Sequence, residues 1–227
     1  KNSPGMWLEG NAYEKKSIYK IGNGTVPPVN YDEHTIRAHS LTHLETPAHT
    51  IMEGKTLDWY FTNQNDWKHF YGEAVVLKLP GDYYKDIGNN HFHWIVTVDQ
   101  IKDRFKALNV TSCPRKIFIT TERYFENAQG FHDPRYVLTL SLEAAKYITL
   151  ELNINLFGVS WKSSDYAPGR SERPIHNQLF TTALILENLK LNHVPEGIYF
   201  LTAFPIPLAD ASEAPVTPVL FSFDELR

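Results

Sequence analysis

Three histidines and one glutamate lie within eleven consecutive residues of this chain. The stretch from residue 39 to residue 49 contains His39, His43, Glu45 and His49. Imidazole nitrogens and a carboxylate are the ligands that zinc and similar divalent cations take in proteins. Three histidines so close to an acid are hard to explain as solvated surface residues. The pattern therefore predicts a metal-binding loop with a catalytic role.

The spacing of these residues restricts the backbone that can carry them. His39 and His43 are spaced as on one helical face, but Glu45 would then point to the far side of the helix. In a strand the three share a face, yet the two histidines would stand about 13 Å apart. Pro47 disfavours helix at the residue before it and removes a backbone donor. We expect the chain to turn here and to fold around an ion.

Two residues of the loop suit particular tasks. The two oxygens of Glu45 could bridge a pair of metals about 3.5 to 4 Å apart. Imidazole titrates near neutral pH, so a histidine beside the metals can carry protons, and His49 is the candidate. Apart from His176, we interpret the remaining histidines as mostly surface residues; they are His34, His69, His91, His93, His132 and His193.

Composition indicates one globular domain. The chain has 227 residues, 42% of them hydrophobic, with 13 Phe, 12 Tyr and 5 Trp, which is ample for a sizeable core. No Gly/Ser linker divides it. Residues 1–30 are rich in Gly, Pro, Asn and Lys without a sustained period, so they predict an irregular arm or a loosely packed hairpin. The domain itself is predicted at residues 31–227.

The charge and cysteine content of the chain limit the classes of partner that it is expected to bind and the compartment in which it is expected to work. The formal charge of −4 is mild and the basic residues are scattered. This distribution argues against nucleic acid or an anionic membrane and favours a small-molecule substrate. Cys113 is alone, and no apolar segment approaches the length of a membrane span. We expect a soluble, cytoplasmic protein.

Strand and helix patterns alternate along the chain. Apolar, β-rich runs predict strands at 73–79, 116–121, 154–161, 184–187 and 197–201. Helices are predicted after Thr97, which has capping-box spacing with Gln100, after Ser141, and near His176. This alternation predicts an α/β fold.

The histidine loop resembles the hallmark motif of the metal-dependent cyclase family, which contains bacterial kynurenine formamidases and isatin hydrolases. The family pattern is His-x-Gly-Thr-His-x-Asp-x-Pro-x-His. Residues 39–49 match it except at Leu41, where the family usually has Gly, and at Glu45, where it usually has Asp. The likeness extends from about Asp32 to about Val219.

Three later stretches are similar to further family elements. Residues 158–165 resemble Gly-Ile-Asp-x-x-Ser-x-Asp, with Ser160 in place of the first acid. Residues 176–180 and 186–189 resemble the His-x-x-Leu-Leu and Glu-Asn-Leu elements, which supply further metal ligands in the family.

The resemblance implies a fold, a cofactor and an assembly. The fold would be a single α/β domain with a mixed sheet, of the swivelling β/β/α type. One or two divalent ions, Zn²⁺ or Mn²⁺, would be bound, and the chain would form a homodimer or higher assembly whose neighbouring chain helps shape the pocket. His39, His43 and Glu45 would hold one metal. Glu45, His176 and Glu187 would hold the second, with His49 beside it as ligand or proton carrier.

These assignments predict a metal-dependent hydrolase that cleaves a small aryl amide, as an arylformamidase does, with His49 and Glu45 as catalytic residues. Two alternatives stay open. The same chemistry could act on a cyclic amide or lactone such as isatin. The departures from the family pattern could instead mark a catalytically weak metal-binding protein. Aromatic residues that could line an aryl pocket are Trp59, Tyr60, Phe61, Trp67 and Trp161.

Overall fold

An eight-stranded mixed β-sheet forms the centre of the fold, in a computed structural model that describes residues 3–4, 11–22, 24, 26–62, 64–126, 132–166 and 172–227. In order across the sheet, the strands are β13 (Glu213–Pro215), β4 (His43–Glu45), β11 (Leu184–Glu187), β10 (Leu156–Val159), β8 (Lys116–Thr121), β5 (Tyr71–Leu79), β12 (Gly197–Thr202) and β14 (Val219–Phe221). The four central strands run parallel to one another, and the outer strands pair antiparallel. The predicted α/β fold with a mixed sheet is confirmed.

Two smaller sheets flank the central one. One contains β6 (Lys85–Gly88), β7 (His91–Val96) and β9 (Tyr136–Leu140), and the other contains β1 (Ser3–Pro4), β2 (Asn11–Tyr19) and β3 (Tyr31–Ile36). Of the two expectations for residues 1–30, an irregular arm or a loosely packed hairpin, residues 11–19 fit the hairpin, because they form a regular strand that pairs with β3.

Cross-strand side-chain contacts, rather than an apolar period, hold this hairpin together. Lys15 forms an ion pair with Asp32 at 2.7 Å, and the rings of Tyr19 and Tyr31 stack with their centroids 6.0 Å apart. Such pairs stabilise a two-stranded ribbon without a buried face, which a hydrophobic pattern does not reveal. The division of the chain at residue 30 stays a prediction.

Short helices connect the strands. They are α1 (Trp59–Thr62), α2 (Val98–Ala107), α3 (Leu142–Lys146), which continues as a π-helical turn over Tyr147–Glu151, and α4 (Pro174–Leu179). Both predicted caps are present, because Gln100 N–H donates to the Thr97 hydroxyl and Ala144 N–H donates to the Ser141 hydroxyl. Among the described residues, no helix is both long enough and apolar enough to cross a membrane.

The central sheet is buried on both faces, as a parallel sheet normally is. Along β8, Ile117 and Ile119 point to the face covered by α2 and α3, while Phe118 points to the face covered by Leu57 and Phe70. This double burial explains why the predicted strands read as nearly continuous apolar runs. It also makes the sheet a rigid support for side chains at its strand ends.

The contribution of the capping box to the stability of α2 can be tested by substitution. Replacing Thr97 by Ala removes the side-chain acceptor of the helix N-terminus and should lower the free energy of unfolding by about 1 kcal/mol. Urea denaturation measures the change. The control is Thr111→Ala, at an exposed position outside any helix or strand, which should stay within about 0.5 kcal/mol of the parent. Equal effects of the two substitutions would contradict the cap.

Candidate metal centre

The central residues of the histidine loop lie on a short strand between two antiparallel neighbours. Strand β4 places His43 and Glu45 two residues apart, so both side chains point to the same face of the sheet. On one side Glu187 of β11 lies directly opposite His43, and on the other Glu213 of β13 lies opposite Glu45. The sheet register thus gathers three carboxylates and one imidazole on a single face.

The chain turns on both sides of β4, as the ligand spacing predicts. Short 3-10 helices at Ala38–Ser40 and Pro47–His49 carry the two outer histidines. They bring His39 Nδ1 to 3.0 Å from His43 Nε2, and His49 Nε2 to 3.4 Å from Glu45 Oε1. The turns remove the separation that a straight strand would impose.

Asn188, directly after β11, ties the histidine loop to the sheet. Its side-chain amide donates to the backbone carbonyls of His39 at 3.0 Å and Leu41 at 3.1 Å. The hydroxyl of Thr42 donates in return to the carbonyl of Asn188 at 2.6 Å. Asn188 has a φ of +58°, a left-handed conformation that Asn tolerates better than most residues.

His176 approaches the cluster from α4. The carboxylate of Asp165 accepts hydrogen bonds from the backbone N–H groups of Ile175 and His176, and from the His176 ring at Nδ1, 2.6 Å away. These three hydrogen bonds direct Nε2 of His176 toward Glu45 Oε2 at 3.2 Å and Glu187 Oε1 at 3.4 Å. All six sequence-predicted site residues therefore meet in one place.

The orientation of the buried rings fits a cation. Nδ1 of His43 faces the carbonyl of Leu41 at 2.9 Å, and Nδ1 of His176 faces Asp165, so both rings carry the N–H on that side. Their Nε2 lone pairs then face the Glu45 carboxylate, an arrangement that needs a proton or a metal ion between them. Glu45 Oε2 is buried without a hydrogen-bond partner. The donor set suits a divalent metal.

The pKa values of the buried groups in the cluster also favour binding of a cation. Burial disfavours the charged rings of His43 and His176, but hydrogen bonds to neighbouring carboxylates outweigh it and raise the pKa of both rings. Burial alone would raise the pKa of Glu45, yet the same two rings hold it well below its usual value. His49, and to a smaller degree Ser212 and His39, lower the pKa of Glu213 to about 2 against the effect of burial. Both carboxylates are ionised at neutral pH and attract a cation.

A cavity of about 190 Å³ opens beside the cluster. Among the described residues its lining is polar: His39, Glu45, His49, Lys162, Ser163, Arg173, His176 and Glu187. The prediction of an aromatic lining is therefore wrong for the described part of the chain. Tyr60, Phe61 and Trp67 pack in the core on one face of the sheet, Trp161 is 1% exposed in the core on the other face, and Trp59 lies under the Lys55 ammonium.

A family model described as putative cyclase matches residues 5–166, more than half of the chain. The chain belongs to the cyclase family.

Relatives with known names agree with this membership. Kynurenine formamidases from Bacillus cereus and Polaromonas naphthalenivorans are 28% and 26% identical, covering 85% and 92% of this chain and 80% and 81% of their own length. Among solved structures, isatin hydrolase A from Ralstonia solanacearum has a TM-score of 0.70 at 20% identity, covering 96% of this chain and 87% of its own. A structure described as a novel cyclase has a TM-score of 0.71 at 11% identity, over 97% and 85%. The expected cyclase-family fold is confirmed.

Each departure from the cyclase motif has a structural explanation. Leu41 has an extended backbone with φ −128°, which any residue can adopt, so glycine is not required. The longer side chain of Glu45 still brings Oε1 within 3.4 Å of three imidazole rings. Ser160 is buried and donates to the Thr120 hydroxyl at 2.8 Å, outside the cavity lining.

Sequence reasoning missed three residues of the centre. Asp165 lies in the Ser-x-Asp element that the sequence shares with the family, but its hydrogen bonds to His176 were not predicted. Asn188 lies in the Glu-Asn-Leu element, but its hydrogen bonds to the histidine loop were not predicted, and Glu213 carried no signal, because both roles come from strand pairing. The surface expectation is wrong for His132, which is 3% exposed beside the Trp161 ring. It lies outside the cluster.

Asn188 provides a test of how the loop is held. In Asn188→Gly the left-handed backbone is retained and both side-chain hydrogen bonds are lost, so unfolding free energy should fall by about 1 to 2 kcal/mol. Asn188→Ala should cost more, since a Cβ without a compensating amide also strains the backbone. Urea denaturation of the two variants measures both contributions. A glycine variant as stable as the parent would show that the amide does not anchor the loop.

Proposed function

We propose that this chain is a metal-dependent hydrolase that cleaves a small aryl amide in the manner of an arylformamidase. The observation that carries the proposal is the convergence of four imidazole rings on Glu45, whose buried Oε2 has no hydrogen-bond partner. Kynurenine formamidase is the printed name of the relatives with 28% identity, which supports an open-chain amide as substrate.

The residues of the cluster divide into two overlapping ligand sets. His39, His43 and Glu45, whose ligand atoms lie within 4.8 Å of one another, would hold one ion. Glu45 and Glu187, whose oxygens lie 3.2 and 3.4 Å from Nε2 of His176, would hold a second together with His176, with Zn²⁺ or Mn²⁺ as candidates. Such an ion, when bound, polarises the amide carbonyl and lowers the pKa of water. Asp165 fixes the His176 ring, and the Ser164 hydroxyl donates to Glu187 Oε1 at 2.9 Å.

His49 and Glu45 are the proposed catalytic residues. Glu45 is 1% exposed and belongs to both ligand sets, so its carboxylate would bind both ions. The His49 side chain is 23% exposed and lines the cavity, so it can meet the substrate. Its imidazole accepts a proton from the attacking water and delivers it to the leaving nitrogen.

The test combines metal analysis with hydrolysis. Protein purified after supplementation with zinc or manganese should hold at least one equivalent by elemental analysis and should hydrolyse an aryl formamide. In Glu45→Ala, metal affinity and kcat/KM should both fall by at least about 10²-fold, because the shared carboxylate is gone. Glu143→Ala, at an exposed position of α3, should change neither.

Three results would revise the proposal. Hydrolysis of isatin without hydrolysis of aryl formamides would favour a cyclic amide or lactone as the substrate. Bound metal without hydrolysis of either would favour a catalytically weak metal-binding protein. Less than one equivalent of metal in the supplemented parent would contradict a dinuclear centre.

We also propose that the enzyme works as a homodimer in the cytoplasm. The hairpin of β2 and β3 belongs to a separate sheet and exposes large apolar side chains on both of its faces, with Tyr31 57% exposed on one face and Ile36 42% exposed on the other. A second copy of the chain is the proposed cover for this surface. The lone Cys113 agrees with a reducing compartment.

Sedimentation measures this assembly. The parent should sediment as a dimer at micromolar concentration, and Ile36→Lys should weaken the dimer about tenfold or more by placing a charge in the interface. Glu143→Lys, at an exposed position of α3, should leave the dimer unchanged. A monomeric parent throughout the concentration range would contradict the proposal.

A further inference from the structure

The two fully buried histidines of the centre, His43 and His176, are oriented in the same way. Each has an acceptor behind the ring nitrogen that faces away from Glu45: the Leu41 carbonyl for His43 and the Asp165 carboxylate for His176. Such an outer acceptor fixes the tautomer and the ring angle, and leaves the other nitrogen free to bind a metal. The remaining histidines, His39 and His49, come from turns outside the sheet and need an equivalent acceptor.

Glu213 occupies that position for both rings. Its Oε1 lies 3.7 Å from His39 Nε2, and its Oε2 lies 3.7 Å from His49 Nδ1. The other nitrogen of each ring faces Glu45 Oε1, at 3.3 Å from His39 and 3.4 Å from His49. One carboxylate therefore stands behind two rings whose front nitrogens converge on the buried, partly unpartnered Glu45.

The backbone around Glu213 fixes its place. The register of β13 sets it directly opposite Glu45 on β4. The Ser212 hydroxyl donates to Oε2 of Glu213, and both the N–H and the hydroxyl of Thr46 donate to the Ser212 carbonyl, at 2.9 and 3.0 Å. These contacts tie the carboxylate to the segment between β4 and His49, so the two move together.

We propose that Glu213 is a positioning residue of the metal centre, which accepts the Nε2–H of His39 and the Nδ1–H of His49. It so presents Nδ1 of His39 to the metal and keeps Nε2 of His49, the proposed base, free of a proton and directed at the centre. This inference rests on the proposed function only in requiring a bound metal. A direct ligand role for Glu213 is disfavoured, because a metal beside it would use Nε2 of His39 and Nδ1 of His49. His39 would then bind metal through both nitrogens and lose its ring proton, and His49, with Nδ1 on the metal, would carry its proton on Nε2 and could not act as a base.

The inference makes a quantitative prediction for metal affinity. Metal-free parent and Glu213→Gln are titrated calorimetrically with Zn²⁺ and separately with Mn²⁺, without substrate. Gln matches the shape of Glu but offers only one acceptor oxygen, so it can hold one ring and not both. Metal affinity should fall about 10- to 100-fold with unchanged stoichiometry, as is typical when an outer acceptor is lost.

Controls separate positioning from folding. Glu143→Gln, on the exposed face of α3, should bind metal like the parent. Thermal unfolding of the metal-free Glu213→Gln variant should match that of the metal-free parent, since the side chain is about a quarter exposed. Ser212→Ala keeps the carboxylate and removes one of its anchors, so it should lower affinity severalfold. It serves as the test variant if Glu213→Gln does not fold.

The possible outcomes are distinct. Equal metal affinity in the parent and both test variants overturns the inference and leaves the proposed hydrolase intact. Loss of one bound ion in Glu213→Gln, with unchanged affinity for the rest, makes Glu213 a ligand and also overturns it. A parent that binds no metal overturns both proposals.

Discussion

Burying a carboxylate costs free energy unless donors or a cation compensate its charge. Glu45 is 1% exposed, and the groups nearest its oxygens are imidazole nitrogens from four separate positions in the chain. The surrounding structure can be understood as the means of holding those rings in place. The parallel strands give a rigid base, the turns on both sides of β4 bring in two rings, and α4 brings in the last.

The second layer of contacts is as specific as the first. His43 and His176 each have an acceptor behind the ring, the Leu41 carbonyl and the Asp165 carboxylate, and we propose that Glu213 of β13 serves His39 and His49 in the same way. A ring held at one nitrogen by an acceptor has its lone pair fixed at the other. The centre is therefore preorganised, which limits the reorganisation needed when a metal binds.

The departures from the cyclase-family motif are absorbed locally. An extended backbone at Leu41 accepts a side chain, and the extra methylene of Glu45 leaves its carboxylate within reach of the same rings. Ser160 serves a core contact with Thr120. The described residues that line the cavity beside the centre are polar or charged, Lys162 and Arg173 among them, and none is aromatic apart from histidine. An aryl substrate would have to find its apolar contacts elsewhere than in the aromatic residues singled out from the sequence.

The sequence alone determined the local elements and the inner donor set. Capping at Thr97 and Ser141, the apolar strands, and the need for a turn in the histidine loop all follow from short-range sterics and hydrogen bonding, which neighbouring residues decide. The likeness to the cyclase family added His176 and Glu187.

The pairing of distant strands cannot be read from the local sequence pattern. Asn188 and Glu213 acquire their roles only because β11 and β13 lie on either side of β4. The same holds for the β2–β3 hairpin, whose stabilising contacts join residues on two strands, and for the aromatic residues, whose packing into the core depends on which faces of the sheet are covered. Tertiary structure decided these points, because they depend on register and burial between segments far apart in the chain.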